Sequence, residues 1–223
     1  MRPGTLLRWH ALKFFLMNEI TPGAVIFDIG GFDGSLAYRL SKEIPELNIT
    51  VIDTDKFGLT KARALGLNAV CGSALAVPFQ KKSADIVLCL DILEHIKQDE
   101  KLIQEISRLL KTDGKYLLTT PKAQGVSFPF LKKEKSLAIN VGWGHIRLGY
   151  TKKDLCRLLN ENRLQIKETS GYFNALSRFI YGITFISQIA YPLRSILYKT
   201  AVFMEPYLKH GVQEHIIIGS KLE

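Results

Sequence analysis

The sequence predicts an α/β fold in which a mostly parallel sheet carries helices on both faces. Residues 24–40, AVIFDIGGFDGSLAYRL, pass from an apolar run through a glycine cluster into a helical pattern, which is typical of a strand, a tight turn and a helix. Strand and helix patterns then alternate along residues 48–121, as in sheets built from right-handed crossovers. Two late strand patterns, at residues 163–172 and 212–220, bring the predicted strands to seven.

An amphipathic helix is predicted within residues 1–22, before the first strand. Its apolar residues recur at helical spacing, and Thr21-Pro22-Gly23 ends it. Charged residues such as Arg8 interrupt the apolar run, and no small-residue cleavage site follows. We therefore expect a helix of the folded domain and not a signal peptide.

The glycine cluster follows the first predicted strand, where the backbone must turn sharply. Glycine permits this turn and a close approach to a ligand, because a Cβ there would collide. Asp33 and Ser35 are both candidate caps for the following helix. The dinucleotide pattern G-x-G-x-x-G does not fit, since Phe32 and Ser35 stand at glycine positions. The turn is either a ligand site at the positive end of a helix dipole or a structural turn without a ligand.

The ends of the next two strands carry further candidate residues. In an open parallel sheet, ligands bind at the carboxyl ends of the strands. Asp53 closes the second predicted strand, 19 residues beyond Gly34, where a carboxylate commonly binds ribose hydroxyls. Asp55 competes for this role, and either acid is alternatively part of a surface turn. Ser73 and Ala74 follow the third strand, either beside an adenine ring or in an ordinary loop.

Length and composition predict one domain. The chain has 223 residues, 47% of them hydrophobic, and a net charge of +9, which suits nucleic acid, anionic lipid or an acidic substrate as partner. Its basic residues are scattered, so we find no strong nucleic-acid signal and expect a solvated surface. Cys71, Cys89 and Cys156 lack the spacing of metal ligands. We expect buried thiols in a cytoplasmic protein.

Four blocks of sequence together resemble the class I S-adenosylmethionine-dependent methyltransferases, in particular the type 11 group. The resemblance covers residues 24–169. The blocks are VIFDIGGFDGSLA, ITVIDTDKFGLTKAR, CGSALAVPFQKKSADIVLCLDILEHI and LLKTDGKYLLTTP. It implies a Rossmann-like seven-stranded sheet with an antiparallel edge strand, S-adenosylmethionine as methyl donor and S-adenosylhomocysteine as product.

The resemblance also implies a set of donor-binding residues at strand ends and turns. They are Asp28, Gly30, Gly31, Gly34, Asp53, Ser73, Ala74 and Asp91. In this set, Asp28, Gly30 and Gly34 surround the amino acid moiety, and Asp53 binds the ribose. Ser73 and Ala74 match the adenine positions, although the family more often has an acid at position 73. Asp91 lies near the methionine end. Phe32 departs from the pattern, with Gly31 one place early.

His95 and His145 are the candidate catalytic residues. A sulfonium methyl is already activated, so the protein must chiefly align it with a nucleophile and exclude water. A base is needed only where the acceptor is protonated, and histidine suits that role. Each histidine is alternatively a structural hydrogen-bonding group, and Glu94 either orients His95 or is an exposed helix acid. The sequence indicates no ligand set for a metal.

Residues 173–208 form an apolar helical insertion before the last strand. We expect two helices broken at Pro192, too short in apolar length to span a bilayer. The insertion is a lid, a dimer interface or a peripheral membrane contact, so the protein is a monomer or a homodimer, cytoplasmic or membrane-associated. Thr151 and Asp154 predict a capping box for the helix before the late strands. The insertion and the N-terminal helix both belong to a single domain over residues 1–223.

The function that the sequence predicts is methyl transfer from S-adenosylmethionine to a small-molecule acceptor. The apolar insertion favours a hydrophobic, glycan-linked or lipid-linked acceptor. Two alternatives remain: a non-catalytic Rossmann-like binding module, which Phe32 favours, and an RNA methyltransferase, which the net charge favours.

Overall fold

The structure is a computed structural model that describes residues 3–186, 191–208 and 210–222. In these ranges the helices are α1 (Pro3–Glu19), α2 (Ser35–Glu43), α3 (Lys56–Ala64), α4 (Asp99–Leu109), α5 (Lys133–Gly142), α6 (Lys152–Asn160), α7 (Ala175–Ile186) and α8 (Tyr191–Met204). The strands are β1 (Val25–Ile29), β2 (Asn48–Asp53), β3 (Asn68–Cys71), β4 (Ala84–Leu90), β5 (Leu110–Pro121), β6 (Leu164–Tyr172) and β7 (Glu214–Lys221).

The strands of the described residues form one seven-stranded sheet in the order β3-β2-β1-β4-β5-β7-β6. The pairings from β3 to β5 are parallel, and β7 runs antiparallel to both β5 and β6. The chain reverses its winding direction between β1 and β4, which is where ligands bind in such sheets. The predicted fold class is confirmed.

Helices cover both faces of the sheet because β1, β4 and β5 are apolar on both sides. On one face, Trp9 and Leu12 of α1 and Leu40 of α2 are fully buried. On the other face, Ile103 and Ile106 of α4 and Leu159 of α6 are fully buried. Each of these four helices presents an apolar side to the sheet.

Several local predictions are confirmed and others are corrected. The capping box at Thr151 is present, with Asp154 N donating to Thr151 Oγ1 at 3.1 Å. The N-cap of α2 is Gly34, with a φ of 66° and no side-chain cap. Asp33 Oδ1 instead accepts from Ser35 N at 3.1 Å, so neither predicted cap holds the N-cap position.

The insertion contains two helices, as predicted, but Pro192 does not divide them. It is the second residue of α8, in the first turn, where proline removes no intrahelical hydrogen bond. The connection at 187–190 lies outside the described residues. Among the described residues, no helix has the length and apolar composition that crossing a bilayer requires.

The three cysteines are free thiols in different surroundings. Cys89 is buried in β4 and Cys156 is half-buried, whereas Cys71 is exposed. The prediction of buried thiols is therefore wrong for Cys71, which is the last residue of the edge strand β3.

Candidate active site

The glycine turn after β1 is built so that two side chains approach the backbone. A Cβ at Gly31 would lie 2.3 Å from Asp28 Oδ2, and a Cβ at Gly30 would lie 2.1 Å from Ile92 Cδ1. Gly30 also has a φ of 74°, in the region that favours glycine. The turn therefore requires glycine at both positions, and Gly31 provides the close approach to Asp28.

The backbone of Phe32 forms part of the glycine turn, and its ring points away from the turn. Its φ is 48°, and its N–H donates to Asp53 Oδ2 at 2.9 Å. A Cβ at Gly58, near the start of α3, would lie 2.7 Å from the Phe32 ring. The ring thus packs on α3, and the bulky residue is accommodated without filling the space beside Gly31.

The two acids after β2 have separate structural roles. Asp53 joins two loops, since its Oδ1 accepts from Asp55 N at 2.9 Å and its Oδ2 from Phe32 N. Asp55 caps α3, accepting from Gly58 N at 2.7 Å. Of the two, Asp53 lies at the strand end beside the glycine turn, where the sequence places the ribose-binding acid.

Ser73 and Ala74 lie in the loop after β3, at the same edge of the sheet. Ser73 Oγ accepts from Leu75 N at 3.2 Å, and Ala74 packs against the apolar core on the α4 side. This geometry is that of a local turn. The adenine contact that the resemblance implies for these residues stays a prediction.

Asp28 is a buried carboxyl group under the glycine turn, only 3% exposed. Burial raises its pKa to about 7, and the charge of Arg8 opposes this shift. Asp28 therefore takes up a proton within the physiological pH range, whereas an exposed aspartate does not.

We expect Asp28→Asn to change the pH dependence of stability. The folded pKa lies above the ordinary value of 3.8, so the folded state binds the extra proton and wild-type stability falls as pH rises through this interval. Between pH 5 and 8.5, the variant should gain about 3 kcal/mol in free energy of unfolding relative to wild type. Urea unfolding at both pH values measures the gain, and an equal difference at both would contradict the assignment.

Asp91 is the centre of a polar network just after β4. One of its oxygens pairs with Arg8 of α1, and the other accepts from Thr119 of β5. Tyr172 Oη donates to Asp91 Oδ2 at 2.9 Å. The φ of Asp91 is 53°, a conformation that costs free energy in a residue other than glycine and that concentrates at functional sites. Three separate elements therefore hold this carboxylate in place.

A cavity of about 320 Å³ opens beside Asp91, and we name it the acceptor cavity. Its lining residues come from α1, α7, the strand ends and the connecting loops: Gly4, Leu7, Arg8, Asp91, Glu94, His95, Pro121, Val126, Trp143, His145, Tyr172, Phe173, Tyr181 and Glu214. Glu214 is buried, and burial raises its pKa well above the ordinary value. The cavity combines an aromatic wall with a cluster of acids and imidazoles.

The two predicted catalytic histidines meet in this cavity, with ring centroids 4.9 Å apart. His95 Nδ1 lies 3.0 Å from Gly144 O; a carbonyl only accepts, so Nδ1 donates and Nε2 keeps its lone pair. Burial, and then the charge of His95, lower the pKa of His145 to about 4. His145 is therefore neutral at pH 7, and its low pKa makes it a weak base.

Glu94 is fully buried beside these imidazoles, so the alternative of an exposed acid is wrong. Its Oε1 lies 3.8 Å from His95 Nε2, and Thr120 Oγ1 donates to its Oε2 at 3.0 Å. Burial, and then the charge of Asp91, raise the pKa of Glu94 to about 8. Its position supports an orienting role for His95.

A second, smaller recess of about 50 Å³ lies next to the glycine turn, and we name it the donor recess. It is lined by Thr5, Arg8, Asp28, Gly30, Gly31, Phe32, Asp33, Leu36 and Leu90. Its size suits the polar end of a ligand and not a nucleoside, and Asp53 lies outside its lining. Arg8 lines both the donor recess and the acceptor cavity.

Three residues of the site were not identified as functional from the sequence. Arg8, Tyr172 and Glu214 come from α1, β6 and β7 and meet around Asp91. The available signal for Arg8 was its charge within the apolar run of the N-terminal helix. Tyr172 and Glu214 have no comparable signal, because each stands in an ordinary strand pattern.

Comparison with known proteins identifies the domain. Residues 27–118 match a family model described as a methyltransferase domain. A methyltransferase-like protein of Schizosaccharomyces pombe is 27% identical over 181 residues, covering 76% of this chain and 69% of the relative. The ubiquinone biosynthesis O-methyltransferase of Coxiella burnetii is 24% identical over 125 residues, covering 54% of this chain and 53% of the relative.

A solved structure shares the fold. The geranyl diphosphate C-methyltransferase of Streptomyces coelicolor, in complex with Mg²⁺, geranyl diphosphate and S-adenosyl-L-homocysteine, superimposes with a TM-score of 0.69. It is 15% identical, and the match covers 95% of this chain and 77% of that one. Solved structures with this fold are in complex with S-adenosyl-L-homocysteine or with S-adenosylmethionine. Residues 27–118 thus match the methyltransferase domain family, and the chain has the fold of the geranyl diphosphate C-methyltransferase.

Proposed function

We propose that the protein transfers the methyl group of S-adenosylmethionine to a small acceptor bound in the acceptor cavity. The main support for this proposal is that Arg8 lines both the donor recess and the acceptor cavity. In the acceptor cavity, Arg8 pairs with Asp91. A donor and an acceptor on the two sides of Arg8 lie next to each other at the carboxyl ends of β1 and β4. This proximity is what methyl transfer requires.

The residues of the donor recess suit S-adenosylmethionine. The backbone of Gly30 and Gly31 and the carboxyl group of Asp28 line the donor recess, which suits the amino acid end of the donor. Arg8 Nε is buried without a hydrogen-bond partner in the described residues, and it can donate to the carboxylate of the donor. Asp53, outside the recess and half-buried at the end of β2, suits the ribose hydroxyls.

The acceptor cavity supports an amphipathic acceptor. Its volume lies in the range of small-molecule sites. Trp143, Phe173 and Tyr181 give it an aromatic wall, and Glu94 and the two histidines give it a polar end. An acceptor with an apolar body and a hydroxyl or amino nucleophile matches both ends. Tyr181 belongs to α7, so this geometry supports a lid role for the insertion.

The opposite side of the insertion supports peripheral contact with a membrane. Leu193, Ile196 and Phe203 of α8 are 53%, 60% and 66% exposed, and Lys199 stands between them in sequence. Apolar side chains beside a cation suit the interface of an anionic bilayer. Such a contact would bring a lipid-linked acceptor near the acceptor cavity.

Methyl transfer needs little covalent chemistry from the protein. The acceptor nucleophile attacks the methyl carbon, the carbon–sulfur bond breaks, and the neutral thioether leaves. If the acceptor carries a proton, His95 is the better base, at Nε2, because the lowered pKa of His145 makes that imidazole a weak base. A positioned base of this kind contributes ~10² to 10⁴ in rate. The aromatic wall excludes water, and Arg8 and Asp91 hold the donor in line.

Donor binding tests the proposal. We expect Asp53→Ala to weaken binding of S-adenosylmethionine and S-adenosylhomocysteine about 10- to 150-fold, because it removes a charge-assisted hydrogen bond of about 1.5–3 kcal/mol. Calorimetry on the full chain measures the affinities. Asp55→Asn is the matched control: it keeps an oxygen to cap α3, so its affinity should stay within about threefold of wild type.

The donor-binding results distinguish methyl transfer from a non-catalytic binding module. Wild-type binding that Asp53→Ala weakens and Asp55→Asn does not would support the donor site, and a panel of amphipathic acceptors would follow. If wild type binds neither donor nor product at millimolar concentration, the methyl-transfer proposal fails and a non-catalytic binding module becomes the better explanation.

A further inference from the structure

We propose that Glu94, His95 and His145 bind one divalent transition-metal ion, with Zn²⁺ the best match, at the polar end of the acceptor cavity. One ligand atom from each residue lies within 4.8 Å of the others. Ligand atoms around a tetrahedral zinc ion are roughly 3.3 Å apart. The ligand atoms would therefore have to approach one another by about 1.5 Å or less, which rotation of the side chains allows.

The three side chains come from two distant parts of the chain. Glu94 and His95 stand in the single helical turn after β4, and His145 stands 50 residues later in the loop after α5. Ile146 N donates to Glu94 O at 3.1 Å. This backbone bond fastens the loop of His145 to the turn that carries the other two ligands, so their proximity is fixed by the fold.

Two ligand atoms are buried without partners, which is the main evidence for a missing cation. Glu94 is 0% exposed, and its Oε1 has no hydrogen-bond partner within the described ranges. His145 Nδ1 is likewise buried and without a partner there. A buried polar atom without a partner costs about 1–3 kcal/mol. A cation between Glu94 Oε1 and the imidazoles would satisfy both atoms at once.

The surrounding hydrogen bonds orient the ligands as metal sites require. His95 Nδ1 donates to Gly144 O at 3.0 Å, which leaves the Nε2 lone pair facing Glu94 Oε1. Thr120 Oγ1 donates to Glu94 Oε2, the oxygen that does not face His95. Ligand histidines commonly donate their other ring N–H to a carbonyl, and ligand carboxylates are held by a second hydrogen bond.

The donor set favours a transition metal over Mg²⁺ or Ca²⁺. Two imidazoles and one carboxylate suit zinc, whereas magnesium and calcium prefer oxygen ligands. Three protein ligands leave a position open toward the acceptor cavity, as in catalytic zinc sites. If the proposed methyl transfer is correct, an acceptor oxygen occupies that position, and the two imidazoles act as ligands instead of bases. This role rests on the proposed function, but ion binding does not.

Zinc binding to the full chain tests the proposal directly. The protein is stripped with a chelator and titrated with Zn²⁺ by calorimetry, and with Co²⁺ by visible absorption. All proteins carry Cys71→Ser, because the exposed Cys71 thiol is a competing zinc ligand. We expect one equivalent to bind. Glu94→Gln and His145→Ala should each weaken binding more than 100-fold, and Thr120→Val about 10-fold.

The control is His210→Ala, an exposed histidine outside the acceptor cavity, which should leave zinc affinity unchanged. Circular dichroism of each stripped variant establishes that it is folded, and Glu94→Gln conserves the volume of the side chain. If Cys71→Ser protein binds no zinc, or binds it as tightly after Glu94→Gln and His145→Ala, the metal site is refuted. Donor affinity, measured separately without metal, reports on the proposed function alone.

Discussion

Trp9→Ala is expected to lower the free energy of unfolding by about 3–5 kcal/mol, the range for removing a large buried aromatic side chain. Trp9 is fully buried where α1 packs against the sheet. The guanidinium of Arg39 on α2 lies 5.3 Å from its ring centroid, which adds a cation–π contact between the two helices. The substitution leaves a cavity and removes this contact.

Phe14→Ala is the matched control, because Phe14 is an aromatic residue of the same helix that is 70% exposed. It should change the free energy of unfolding by no more than about 0.5 kcal/mol. Urea unfolding followed by circular dichroism measures both variants. Equal effects of the two substitutions would mean that α1 does not pack against the sheet through Trp9. In that case the placement of Arg8 beside Asp91 would no longer be supported.

The fold was predictable because short stretches of sequence are enough to identify its strands. β1 and β4 are apolar apart from one aspartate each and stand next to turn residues, and such runs suit strands buried on both faces. The ribose-binding role predicted for Asp53 followed from its place at the end of β2, since parallel strands end at one edge of the sheet. Asp53 could therefore be placed beside the glycine turn without knowledge of any contact.

Helix α5 was not predicted because its buried side chains are polar. Ser136 and Asn140 face the interior, and Asn140 Nδ2 donates to Val126 O at 2.7 Å. Leu137 and Val141 of the same helix are exposed. Hydrophobic periodicity identifies a helix by its apolar buried face, so a helix with a polar buried face gives no such signal.

The residues around Asp91 could not be predicted because their contacts span most of the chain. Arg8 is 83 positions from Asp91, and Tyr172 is 81 positions from it. Neither periodicity nor turn chemistry reports on pairs this far apart. The same limit applies to His145: the sequence places Glu94 and His95 next to each other, but only the fold brings His145 to them.

Arg8→Met is expected to destabilise the protein by about 2–3 kcal/mol near pH 8. Breaking a buried ion pair costs about 3–5 kcal/mol, because the remaining charge loses its partner. Here the side chains of Arg8 and Asp91 are 26% and 18% exposed, so solvent reduces the loss. Arg8 also lowers the pKa of the buried carboxyl group of Glu214, so its removal would raise that pKa further. Methionine preserves most of the apolar stem.

Asp91→Asn in the same protein should restore much of this loss. With both charges absent, position 91 no longer carries an unpaired charge, and a double-mutant cycle should give a coupling of about 1–2 kcal/mol, within the range for side chains in contact. Urea unfolding of the wild type, both single variants and the double variant measures it. Additive effects would mean that the two side chains do not interact.

The free energy of unfolding that Arg8→Met loses should also depend on pH, because buried acids near Arg8 change their charge with pH. The guanidinium lowers the pKa of Asp28, Glu94 and Glu214, each raised chiefly by burial. At pH 5 these groups hold their protons with or without Arg8, so fewer charges depend on it. We therefore expect the destabilisation to be smaller at pH 5 than at pH 8.5. A larger loss at pH 5 would show that Arg8 stabilises the fold through packing of its stem and not through its charge.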